Sequence, residues 1–363
     1  MTYQLKTRQI CLFFLTFMPI TKIFMLPSIM ANTTNEDMWI SVTLSFIIDI
    51  FSLIILLVVR NKTEKNVFTL LSDAFGKVGG KIILVFYFIF FMLKAIVPIN
   101  EQKDFIEFTL YFSLPSIFYF MPFYITAFYI SIKKIRVLGR CADILWTMTI
   151  FGVLILIAIS ISNASLLTLL PIGANGAKNI LTGTYQSLTW FGDSVFFVFF
   201  LGNYKNEKKS FRKILLSYVL GALMVILFMI IFYGVFTSIA FRQRFALTEI
   251  AKYTNVINNT GRLDYILIVM ILCSHIIAIS MPIYFASSLL QQIFSLKRSF
   301  ISPIIVVTIH AIITLFFKQY YYSIENISIN YMGFIYLFFS NVLPISLIFL
   351  TKRRKTNAKT CQT

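Results

Sequence analysis

Two short stretches put ionisable side chains inside apolar sequence. In "LTFMPITKIFMLPSIMA", Lys22 lies between Pro19 and Pro27; in "TWFGDSVFFVFF", Asp193 directly follows Gly192. A charge near the centre of a bilayer costs about 2.5 kcal/mol or more, so each position calls for a partner or a use. Proline removes a backbone donor and disfavours helix at the residue before it, and glycine is a weak point in a helix. A helix broken at membrane depth exposes N–H groups on one side of the break and carbonyls on the other. The first attract an anion and the second a cation. Two such breaks facing each other suit a zwitterion, which is the charge pattern of an amino acid. Lys22 and Asp193 either pair with each other when the site is empty or touch the ligand directly. The plainer alternative is that proline and glycine kinks serve helix packing alone.

Further polar residues fall inside apolar runs: Asp49, Lys94, His275 and His310. Intramembrane ionisable groups are functional candidates by default, with a partner expected for each. Asp49 either carries a coupling proton or neutralises a lysine such as Lys94. His275 and His310 either relay protons or are satisfied by a neighbouring carbonyl or hydroxyl. Trp190 either gates a cavity or packs passively, and Gly183 is a second weak point upstream of Gly192. Asp143, beside the basic run "KKIRVLGR", is expected to pair with Arg140 or Arg136. No Ser/His/Asp arrangement, HExxH, phosphate-binding loop or dinucleotide fingerprint is present, so the expectation is a protein that is not an enzyme and needs no cofactor. The cysteines Cys11, Cys141, Cys273 and Cys361 show no metal-ligand spacing and read as reduced, with no metal site expected.

The elements that position these residues are membrane helices. Of 363 residues, 58% are hydrophobic and 13% charged, with 40 phenylalanines, and the mean hydropathy is +0.84. Continuous apolar runs of about 20 residues match ~30 Å of hydrocarbon and exclude the alternating pattern of a β-barrel. The fold class expected is therefore an all-α polytopic membrane protein. Its ten transmembrane helices fall near 8–31, 38–59, 80–100, 117–133, 138–161, 176–203, 211–238, 263–290, 300–317 and 330–350. The third is expected to continue as a short interfacial helix through "KDFIEFTLYF". The N-terminal apolar run resembles a secretion signal, yet Ile29 stands where a cleavage site after Ala31 needs a small residue, so it reads as a retained span.

Basic residues set the orientation, because cytoplasmic loops retain Lys and Arg. With the N-terminus inside, the six cytoplasmic segments hold 23 of 32 basic residues and the outer loops hold 7, four of them in "FRQRFALTEIAKYTNVINNTGRLD". Both termini are thus expected in the cytoplasm, with 351–363 a basic tail. The same asymmetry accounts for the net charge of +18 without nucleic acid. The polar outer loop is either a contact surface for ligand access or a partner, or a linker. The chain reads as a single transmembrane permease-like domain over 1–363. Its two halves, about 8–161 and 176–350, have opposite orientation, and a five-plus-five inverted repeat with discontinuous first and sixth helices fits that arrangement.

The stretch "LLTLLPIGANGAKNILTGTYQSLTWFGDSVFFVFF" resembles the middle of the endospore germination permeases, the B subunits of spore germinant receptors. "LPSIMA" in the first span and "KKIRVLGRCADILW" entering the fifth are similar to that family as well. The resemblance extends over the whole chain in length and span count. It implies the five-plus-five fold of the amino acid–polyamine–organocation superfamily and a sensor in the spore inner membrane acting with A and C subunits. Its ligand is implied to be a small germinant such as an amino acid. It also implies ligand contacts at Thr21, Lys22 and Ile23 and at Trp190, Phe191, Gly192 and Asp193. Relatives carry glycines in the first break, where this chain has "PITKIF". A proton-coupled amino acid transporter, with Asp49, Lys94 or Asp193 exchanging the proton, is the alternative.

Overall fold

The computed structural model describes residues 5–62, 65–109, 115–133, 135–204, 207–253, 263–296, 298–342 and 344–346. The expected basic tail, the second half of the polar outer loop and Cys361 lie outside these residues. Among the described residues all regular structure is helical, apart from one isolated backbone bridge between Leu5 and Tyr204. The order is α1 (Thr7–Lys22), α2 (Leu26–Thr34), α3 (Met38–Lys62), α4 (Val67–Thr109), α5 (Ser116–Ile132), α6 (Ile135–Ser160) and α7 (Gly176–Ser187). There follow α8 (Ser194–Phe200), α9 (Ser210–Phe236), α10 (Ala246–Tyr253), α11 (Leu263–Ile293), α12 (Ile301–Phe316), α13 (Tyr321–Tyr331) and α14 (Gly333–Leu337).

Among the described residues, length and apolarity qualify five stretches to cross a membrane: Leu26–Asn61, Val67–Phe108, Ile135–Asn163, Ser210–Arg242 and Leu272–Ile293. A sixth is the pair on either side of Met332, bent by 62°. The other expected spans correspond to helices that are short (α5, α12) or interrupted (α1–α2, α7–α8). The first interruption, at Ile23–Met25, lies just before Pro27, whereas Pro19 stands inside α1; the second lies at Gly192. With its apolar outer faces, the chain is an integral membrane protein: Ile47, Phe51, Phe86, Ile89, Ile312 and Phe316 are large and exposed, as only a hydrocarbon solvent favours.

α4 corrects the expected third span. It extends from Val67 to Thr109 as two helical pieces that meet at a kink at Gly76, whose φ of 76° is not helical. At 1.5 Å per residue the piece after Gly76, residues 77–109, makes about 50 Å, well over the hydrocarbon thickness. The segment expected to lie at the interface is its last turns, and Glu101, Gln102 and Asp104 there are buried in protein.

The two interrupted helices occupy the middle of the bundle. α1 packs on α9, α6 and α11, and α8 on α3 and the π-helical turn Phe338–Val342. Every residue of α8 is buried. Phe13 and Phe17 of α1 meet Phe196 of α8 edge-on at 5.9 and 4.9 Å, and Phe200 stands 5.6 Å from Phe13. Edge-to-face pairs of this kind favour one relative placement of the two half-helices.

Candidate functional site

The first break covers Ile23–Met25. Pro27 enters the first turn of α2 without an N–H, so it offers no donor to the carbonyl of Ile23, four residues back. The carbonyl of Phe24 finds its donor elsewhere, in the backbone N–H of Ala246 at 3.0 Å. The second break covers Phe191–Asp193, after a 3-10 turn at Leu188–Trp190. Gly192 has φ 83°, and a Cβ there would come within 2.5 Å of the Cβ of Ser340. Conformation and space therefore both require glycine at 192. Gly183 is different: it lies within α7, and a Cβ there would meet Thr34 at 2.5 Å. It serves close packing of α7 on α2 and α3 and is not a break.

At these breaks four charged side chains from four separate segments converge, and all are buried. Lys22, at the carbonyl end of α1, forms an ion pair with Asp193. Its ammonium also reaches the Thr21 hydroxyl at 3.3 Å and lies 4.9 Å from the centre of the Phe191 ring. Lys94 of α4 donates to the carbonyl of Phe191 and stands 3.6 Å from the other oxygen of Asp193. Asp49 of α3 accepts the backbone N–H of Asp193 at 2.8 Å and that of Ser194 at 3.4 Å. It also takes the hydroxyls of Ser194 at 2.6 Å and Tyr218 at 2.5 Å. Two lysines and two aspartates leave the cluster formally neutral. Hydrogen bonds to nearly every oxygen are what make such burial tolerable.

The structure thus brings Thr21, Lys22, Phe191, Gly192, Asp193, Asp49 and Lys94 to one place. Asp49 answers to the start of α8 rather than to Lys94, whose acid is Asp193. Ile23 is buried within the first break. Trp190 turns away, donating its indole N–H to Glu101 at 2.8 Å, and His275 packs its ring 4.8 Å from that of Phe24. The Nδ1 of His310 meets the Tyr124 hydroxyl at 2.7 Å. Asp143 pairs with Arg8 at 2.9 Å and Gln9 at 2.9 Å instead of Arg140 or Arg136, because α6 packs on the start of α1. Among the described residues no cluster of His, Cys, Asp and Glu could hold a metal ion.

Sequence reasoning missed Tyr218, Ser340 and Glu101. Nothing separates Tyr218 from the other 17 tyrosines. Glu101 had a signal, since the chain has only 14 acidic residues and one inside apolar sequence implies a partner.

The two ends of the bundle differ. At the end bearing Leu5, the Leu5 N–H donates to Asn203 at 3.1 Å. Thr7 bonds Ser210 at 2.9 Å. The buried Arg60 donates to the Tyr204 carbonyl at 2.7 Å with its guanidinium 5.0 Å from that ring. At the opposite end a cavity of about 540 Å³ opens between α2, α7, the segment around Arg244 and α13, and Met25 of the first break forms part of its wall. The breaks are therefore sealed on one side and approached by a vestibule on the other.

Among solved structures, two variants of a manganese transporter from Eremococcus coleocola share this fold. The first matches with a TM-score of 0.61 at 12% identity, covering 93% of this chain and 78% of that one. The second has a TM-score of 0.53 at the same identity and coverage. No curated protein matches the chain. Residues 4–351 match the spore germination protein family, the spore permeases, and over that nearly complete length the chain belongs to it.

Proposed function

We propose that this chain is a spore germinant receptor subunit that binds an amino acid or similar small nutrient between the two breaks and triggers germination. The observation that carries this reading is the placement of Lys22 and Asp193, one at each break, with opposite charge and in contact. An amino acid separating them offers its ammonium to Asp193 and its carboxylate to Lys22, replacing one ion pair by two. A ligand shifts a conformational equilibrium only through its differential affinity for the two states, and exchange of this pair supplies such a difference. The chain spans the membrane ten times as a five-plus-five inverted repeat, the α1–α2 and α7–α8 pairs being its first and sixth helices. Its N- and C-termini are cytoplasmic and the vestibule faces out. It sits in the spore inner membrane with A and C subunits and carries out no enzymatic reaction.

A proton-coupled amino acid transporter is the second reading, favoured by Asp49, a buried acid whose bonds join three helices. A divalent cation, the cargo named for the structural neighbour, suits this site poorly, because Lys22 and Lys94 already surround Asp193. Spores lacking this chain are expected to lose their response to at least one nutrient, and Asp193→Asn spores to share the defect. Normal germination of the deletion on every nutrient removes the germination role. Accumulation of a labelled amino acid in proteoliposomes under an imposed pH gradient selects the transporter.

A further inference from the structure

The vestibule has a charge pattern of its own. Two charged side chains line it, Arg244 and Glu325, with their nitrogen and oxygen 3.2 Å apart. Both are partly open, at 32% and 13% exposure, in contrast to the sealed pair at the breaks. Arg244 has a second acid, Asp104 of α4, at 3.0 Å and only 2% exposed, and its guanidinium lies 4.6 Å from the Tyr322 ring centre. The guanidinium is therefore held in place even when Glu325 lets go. The rim is ordered by a relay of neutral groups: Thr33 donates to Gln186 at 2.7 Å, Gln186 to Asn330 at 2.9 Å, and Asn330 to Asn326 at 2.6 Å.

An ion pair in a cavity of small-molecule size, pre-set by buried neighbours, is what recognition of a zwitterion requires. We propose that the vestibule is a second binding site, separate from the breaks, for an α-amino acid or a zwitterion of that size. The ligand carboxylate sits on Arg244 and its ammonium on Glu325. The ligand class rests on the reading given above; the site does not. Occupancy is felt at the first break through two backbone contacts. The Ser28 hydroxyl donates to the Arg244 carbonyl at 3.3 Å, and Ala246, two residues on, holds the free carbonyl of Phe24. Phe245 between them packs 5.6 Å from the Phe24 ring. A ligand that draws Arg244 off Glu325 thus pulls on the segment that caps the break.

The test uses the full chain in lipid nanodiscs and each protein L-amino acid in turn as a radiolabelled probe. Any that binds is compared with its methyl ester, which lacks the carboxylate, and its N-acetyl form, which lacks the ammonium. Glu325→Gln is expected to weaken binding by about tenfold or more, the loss when a charge-assisted hydrogen bond to a ligand is removed. Thr33→Trp, which fills the vestibule from α2, is expected to do the same without touching a charge, and both blocked probes to bind as poorly. Binding that survives both substitutions unchanged but is lost in Asp193→Asn overturns the vestibule site and leaves the break site standing. Binding lost in Glu325→Gln and Thr33→Trp but kept in Asp193→Asn upholds the vestibule and removes the break site. If no amino acid binds the native chain, both sites fall.

Discussion

Asp49 accepts the backbone N–H of Asp193 at 2.8 Å, so an acid on α3 completes the start of α8. The residue whose amide it holds is itself the acid that pairs with Lys22 and Lys94. One aspartate fixes the backbone at the break and the other faces the lysines. Division of labour explains how two carboxylates stand so close: each has its own donors, and α8 supplies N–H groups that favour negative charge at its first turn.

The Lys22–Asp193 pair is buried, so removing Asp193 strands Lys22, while removing Lys22 leaves Asp193 only its longer contact with Lys94 at 3.6 Å. Lys22→Met and Asp193→Asn are each expected to destabilise the fold by about 3–5 kcal/mol, as for other buried ion pairs cut on one side. The double substitution is expected to cost less than the sum, since neither member of the pair is then left alone, although Lys94 still loses its acid. Thermal unfolding of the four proteins in one detergent measures the coupling. Strictly additive losses remove the pair as an energetic unit.

Much of this site is legible in the sequence because helix breakers act locally. Pro27 removes a backbone donor at the start of α2 whatever surrounds it, although Pro19, Pro98, Pro122 and Pro282 lie inside helices, and Gly192 next to a charge inside apolar sequence marks the second break. Lys22 and Asp193 follow from the cost of burying charge. Partner choice is not local, which is why the sequence offered a lysine such as Lys94 as one partner for Asp49 and gave no sign of Tyr218 and the α8 amides. Gly183 shows the same limit: a glycine for close helix contact and a glycine for a break look identical until the neighbour, here Thr34, is in place. The vestibule draws on four separated segments, and no pattern along the chain joins Arg244 to Glu325.

Gly192→Ala puts a Cβ within 2.5 Å of Ser340 and holds alanine at φ 83°. Backbone strain of that kind costs about 1–3 kcal/mol, with the clash in addition. Ser340→Gly in the same chain is expected to relieve the clash and leave the strain, so the double variant recovers only part of the lost thermal stability. Full recovery would show that space alone selects glycine at 192.

Tyr218→Phe deletes one hydroxyl and leaves the ring against Phe14, 5.2 Å away. Asp49 then loses its 2.5 Å donor, a hydrogen bond to a charged group worth about 1.5–3 kcal/mol. Stability is expected to fall by that order. In the transporter reading, uptake driven by a pH gradient shifts its pH dependence as well, because the proton affinity of Asp49 changes. In the receptor reading Asp49 shapes only the break, and the pH profile of the nutrient response stays in place.

Arg60 seals the end of the bundle opposite the vestibule. It is 2% exposed and holds the Tyr204 carbonyl at 2.7 Å, which ties α3 to the turn after α8. Arg60→Ala removes both this hydrogen bond and the guanidinium over the Tyr204 ring. The expected result is a looser seal around the start of α1, where Cys11 stands half-buried. In a chain whose other cysteines are replaced by serine, Cys11 is expected to react several-fold faster with a charged, membrane-impermeant maleimide once Arg60 is gone. The rate should fall back when a ligand that favours the sealed state is present. An unchanged rate, with the protein still folded by its thermal transition, would mean that the Leu5–Asn203 and Thr7–Ser210 contacts close this end without Arg60.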